Sequence, residues 1–120
     1  MALGHNAKTT SQQDLAIGTN SIAEGPYATA IGYQANSYGD DALAIGVNSF
    51  AFGVNAMALG TGAQANGNNA FAIGVNAVAD GDESFAFGDG STATANAAGA
   101  LVAGDNATAC LLYTSDAADE

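Results

Sequence analysis

Large apolar residues occur along this chain in pairs with a single alanine between them, and the pairs return every fourteen residues. They are Leu15-Ala16-Ile17, Leu43-Ala44-Ile45, Met57-Ala58-Leu59, Phe71-Ala72-Ile73 and Phe85-Ala86-Phe87, with Thr29-Ala30-Ile31 as the polar variant. Midway between them lies a second set of alternating segments whose variable positions are mixed and mostly polar. These positions are Lys8 and Thr10, Ile22 and Glu24, Asn36 and Tyr38, Phe50 and Phe52, Gln64 and Asn66, Val78 and Asp80. Alternation with a period of two over four or five residues predicts a short strand at each site. A helix is excluded because glycine would recur every second turn, at about 1 kcal/mol each relative to alanine. Each unit therefore reads as turn, mixed strand, turn, apolar strand.

The turns are marked by two interleaved glycine series. Gly4, Gly18, Gly32, Gly46, Gly60, Gly74 and Gly88 form one, and Gly25, Gly39, Gly53, Gly67 and Gly81 the other. Asparagine often follows two positions later, as in Gly18-Thr19-Asn20, Gly46-Val47-Asn48 and Gly53-Val54-Asn55. Gly and Asn tolerate positive φ, so these are turn signals. Equal units with two short strands predict an all-β fold, a parallel β-solenoid of 14-residue coils. With about 4.8 Å between coils, seven coils form a rod of roughly 35 Å. The small residues must face inward, because two strands this close leave room for little more than a methyl group. They are Ala35, Ser49, Ala51, Ala63 and Ala65 on the mixed strands, and Ala42, Ala44, Ala56, Ala58, Ala70 and Ala72 on the apolar strands, with their repeats.

The outward sides differ. The apolar strands align Leu15, Ile17, Ile31, Leu43, Ile45, Met57, Leu59, Phe71, Ile73, Phe85 and Phe87 along one flank. A ladder of that length is too large an apolar patch to leave in water, and the simplest cover is further copies of the same chain. These eleven residues are the expected seam of a homo-oligomer. On the mixed flank, Tyr38, Phe50 and Phe52 fall in neighbouring coils and are the candidate ligand-contact patch, since exposed aromatics are favoured interface anchors.

The period breaks after Gly88. The next matching glycine is Gly104, sixteen residues on, which predicts a two-residue insertion in a degenerate coil and resumption at Ala107. Met1 is in register with Leu15, Leu43 and Met57, so the chain is expected to be a fragment open at its N-terminus, with head repeats over 1–109. Residues 110–120, "CLLYTSDAADE", ignore the repeat and read as a translation of an adapter used in transposase-based sequencing libraries. They are expected to add no coil to the fold. They hold the lone cysteine, Cys110, and three of the twelve acids.

Charge removes several classes of function. Twelve acids face one cation, Lys8, for a net charge of −11, or −8 over residues 1–109 (nine acids minus Lys8). That excludes a nucleic-acid binder, which needs Lys and Arg against phosphates, and argues against a surface for anionic lipid. No apolar run is long enough to span a bilayer as a helix.

The Ala-Ile-Gly units at 16–18, 30–32, 44–46 and 72–74, with Asn48-Ser49-Phe50-Ala51-Phe52-Gly53 and Ser84-Phe85-Ala86-Phe87-Gly88, resemble the head repeats of trimeric autotransporter adhesins of the YadA type. The resemblance covers about residues 1–109. It implies a left-handed β-roll and a homotrimer on the bacterial surface, held at the outer membrane by an anchor outside this segment. It also implies attachment to host matrix proteins or cells. Neck, stalk and anchor are absent from this sequence, and Phe50, Phe71 and Phe85 stand where the family often has valine. Ligand choice therefore does not carry over.

The remaining chemistry is sparse. His5 occupies a turn and has no nucleophile beside it in the pattern. Asp80–Glu83 and Asp89 lack the glycine-rich spacing of calcium-binding rolls and read as solvated turn acids. Glycine-rich phosphate loops need a following helix. No enzyme activity, metal or cofactor is expected. An ice-binding solenoid would carry a regular Thr-x-Thr ladder, met in full only at Thr92-Ala93-Thr94. A phage fibre or other structural trimer would share the stacking and differ in flanking sequence.

Overall fold

The structure, a computed structural model, describes residues 1–93, 101–103 and 108–109. Every element is a strand of two or three residues, and the strands stack into two parallel sheets of eight. The apolar strands form one sheet, in the order Ala2–Leu3, Leu15–Ile17, Thr29–Ile31, Leu43–Ile45, Met57–Leu59, Phe71–Ile73, Phe85–Phe87 and Leu101–Ala103. The mixed strands form the other, from Lys8–Thr9 to Thr108–Ala109. This is the solenoid with fourteen residues and two strands per coil that the alternation predicted.

Register follows the sequence period. Leu15 pairs with Thr29, Thr29 with Leu43, Leu43 with Met57, Met57 with Phe71 and Phe71 with Phe85. The next partners are sixteen apart: Phe85 with Leu101 and Thr92 with Thr108 (101 − 85 and 108 − 92). The two extra residues therefore fall between Ala93 and Leu101. Pairing resumes at Leu101, ahead of the Ala107 that the glycine spacing suggested, because the apolar strand precedes its glycine. The tail at 110–120 lies outside the described residues.

The interior is one methyl group deep. Columns of alanine from both sheets, among them Ala30, Ala44, Ala58 and Ala72, are wholly buried, and the largest fully buried side chains are serines. Ser21, Ser49 and Ser91 each donate from Oγ to the carbonyl of the glycine three residues earlier, at 2.9 Å. Ser37 stands in an alanine column further along its strand, and its buried Oγ has no hydrogen-bond partner among the described residues. With about 0.8 kcal/mol for each buried carbon group, alanine columns stabilise little beside the backbone ladder.

Turns are stacked as regularly as strands. Gln34 N–H donates to Thr19 O at 2.9 Å, and Asn48 N–H to Tyr33 O at 2.9 Å, each bond joining a turn to the coil below. The third residue of these turns has φ near +60°, which suits Asn20, Asn48, Asn55 and Asn76. Tyr27 also adopts it, at 63°, directly after Pro26, whose ring fits the preceding position.

The turn at Ser11–Asp14 departs from the pattern, with serine at the glycine position and aspartate in the alanine column. Asp14 is 3% exposed. Its carboxylate accepts from Ser11 Oγ at 2.6 Å, Ser11 N–H at 2.7 Å, Thr10 N–H at 3.2 Å and Ala28 N–H at 3.3 Å. Burial alone would raise its pKa, but the Ser11 hydroxyl and the three backbone donors outweigh burial and hold it below its ordinary 3.8. A lowered carboxylate contributes stability above its unfolded pKa and loses it as pH falls through the folded value. The stability difference between the wild-type chain and Asp14→Asn should therefore shrink as pH is lowered from about 5 to about 2 in thermal melts. A difference independent of pH over that range would remove Asp14 as its source.

Candidate interaction surfaces

The outward face of the apolar sheet carries two columns. Leu15, Thr29, Leu43, Met57, Phe71 and Phe85 form one; Leu3, Ile17, Ile31, Ile45, Leu59, Ile73 and Phe87 form the other. The sequence pattern placed eleven of these, and Leu3 joins them because the N-terminal segment pairs with Leu15–Ile17. Neighbours above and below half-bury most of the side chains, yet Ile45 remains 36% and Phe87 45% exposed. Phe71 and Phe85 meet edge-on at 5.2 Å, and Phe85 stacks with Phe87 at 5.8 Å. Parallel sheets ordinarily have both faces covered. Here one face is closed by alanine and the other presents a continuous apolar stripe.

The mixed sheet faces the opposite way and is polar along most of its length. Asn66 donates to Asp80 at 3.1 Å, and the carboxylate of Asp82 accepts from Asn68 N–H at 3.0 Å, so these acids take part in bonds between coils. No group of three metal-ligating side chains occurs among the described residues. His5 is exposed in its turn.

The structure brings Tyr38, Phe50 and Phe52 together. Ring centroids lie 5.3 Å apart for Tyr38 and Phe50, 5.9 Å for Tyr38 and Phe52, and 6.0 Å for Phe50 and Phe52, the last pair nearly parallel at 8°. Phe52 is 57% exposed. Beside this cluster is a feature the sequence pattern did not single out, an open notch of about 460 Å³. Ile22, Asn36 and Phe50, successive members of one outward column, line it. Asn20, Gln34 and Asn48, three successive turn residues, line its side, and Tyr38 closes the other. The available signal was the fourteen-residue recurrence of a carboxamide at 20, 34 and 48.

No helix among the described residues is long and apolar enough to cross a membrane, which does not bear on β-barrels. Against known families, the model of the YadA head domain repeat (2 copies) matches residues 1–21, 10–35, 23–49, 37–63, 51–77 and 65–91. No curated protein matches the chain.

Proposed function

The chain belongs to the YadA head-repeat family, and from that membership we propose that it is the head segment of a trimeric bacterial adhesin, attaching cells to host matrix or host cells. Membership supports an adhesin-like role at a cell surface; the trimer and the host ligand are our reading. The observation that carries it is the uncovered apolar face of a parallel sheet, from Leu3 to Phe87. Three chains turning that face toward a common axis would bury it and leave the mixed sheets outward. The role is structural and adhesive rather than catalytic. Three identical outer faces on one rod would raise avidity without stronger single contacts.

The test is attachment of beads carrying the full chain to matrix-coated and cell-coated surfaces, with oligomer mass followed by light scattering. Phe50→Ser together with Phe52→Ser should reduce attachment several-fold and leave the mass unchanged. Beads that attach to neither surface would overturn the adhesive reading. Undiminished attachment by the double variant would remove the aromatic cluster from it.

A further inference from the structure

We infer that the notch beside the aromatic cluster is a binding site for one ring of an uncharged oligosaccharide; this deepens the adhesive reading and rests on it. The lining is the first reason. In a chain of net charge −11, none of the notch residues is Asp, Glu, Lys, Arg or His. Anionic ligands meet no cation in the lining, and cationic ligands meet no carboxylate in it.

What the notch offers is carboxamide and aromatic surface. Asn20, Gln34, Asn36 and Asn48 can each donate and accept at once. Among the described residues, the side chains of Asn20, Gln34 and Asn48 make no hydrogen bond, while Asn36 Nδ2 donates to Gln34 O at 3.1 Å. Phe50 and Tyr38 supply an apolar wall 5.3 Å between centroids. A ring that carries hydroxyls on its rim and C–H bonds on its face matches both.

The backbone disfavours a polypeptide. Ile22 N–H donates to Ala35 O at 2.8 Å, Glu24 N–H to Ser37 O at 2.8 Å, Asn36 N–H to Ser49 O at 2.9 Å and Tyr38 N–H to Ala51 O at 2.8 Å. These donors are all engaged with the next coil, so the flank has no open sheet edge to which an extended peptide could add a strand. The volume, about 460 Å³, lies within the range of small-ligand sites.

The experiment uses beads carrying the full chain on an immobilised panel. The panel holds uncharged hexose and N-acetylhexosamine oligomers, their sialylated and sulfated counterparts, and a denatured polypeptide coat. Asn36→Leu removes a donor and an acceptor from the notch while keeping the side chain's size and branching. It should cut retention on uncharged glycans at least ~10-fold. Asn48→Gly suits the local φ of 59° and removes one carboxamide, so a smaller loss is expected with the fold kept. Circular dichroism confirms folding of both. The inference is overturned if the wild-type chain retains no uncharged glycan, if it retains acidic glycans or polypeptide equally well, or if both variants bind as wild type. Attachment to matrix and cells, run in parallel, separates the two readings. Attachment without glycan retention leaves the adhesive reading standing and removes the sugar site. Notch-dependent glycan retention without attachment does the reverse.

Discussion

Gly39→Ala should unfold the coils around it, with a loss of more than about 4 kcal/mol, the range reserved for severe core lesions. The φ of Gly39 is not in the left-handed region, so the cause is not conformational strain at the residue itself. A Cβ there would enter the van der Waals shell of the carbonyl of Gly53, one coil away, and lie 3.0 Å from Phe52 O. Both neighbours are backbone, and no rotamer change relieves the contact. The coils would have to part, which stretches Tyr38 N–H to Ala51 O at 2.8 Å and Asn55 N–H to Asp40 O at 2.8 Å. Gly62→Ala is the control. Its φ of +72° costs roughly 1–2 kcal/mol for an L-residue, and the atom in its way is the movable side-chain oxygen of Asn76. Chemical denaturation of both variants should rank Gly39→Ala well below Gly62→Ala. Equal losses would mean that close stacking of the coils is not what fixes this glycine series.

The two glycine series were not equally legible in the sequence. Spacing revealed both at once, since each repeats every fourteen residues. They share one reason and differ in another. Gly18, Gly32 and Gly46 adopt φ near +130°, a preference that glycine itself announces, and a Cβ on each would also meet the next coil's backbone. Gly39 and Gly53 are glycine for the second reason alone, and no local pattern encodes that approach. The alanine columns were legible because alternation fixes which residues face inward. Ser37 interrupts one column without a hydrogen-bond partner among the described residues, and Asp14 begins another by borrowing hydrogen bonds from its own turn. The aromatic cluster was visible as neighbouring positions in the repeat. The notch beside it was not, because the carboxamides at 20, 34 and 48 read as turn residues, and only the stacking of the coils sets them beside Tyr38 and Phe50.

Ile45→Asp together with Ile73→Asp should abolish assembly of the full chain. The two positions share one column of the apolar sheet, two coils apart, through Ile45↔Leu59 and Leu59↔Ile73. In a trimeric seam the double variant would place six carboxylates around one axis. Each would lose much of its hydration for an effective penalty of several kcal/mol per ion, and each would repel the others. The opposing gain is limited. The stripe offers about a dozen apolar side chains, worth roughly 1.5–3 kcal/mol each if fully buried, an upper bound because each is already half-covered by its own column. Beneath the stripe, a single chain has only alanine columns to hold its sheets together. Loss of the seam should therefore leave unfolded or aggregating monomer rather than a soluble rod. Light scattering with circular dichroism reads both properties. A variant that assembles like the wild-type chain would show that the stripe is not the seam. A wild-type chain that is a stable, folded monomer at micromolar concentration would show that alanine columns and the backbone ladder suffice alone.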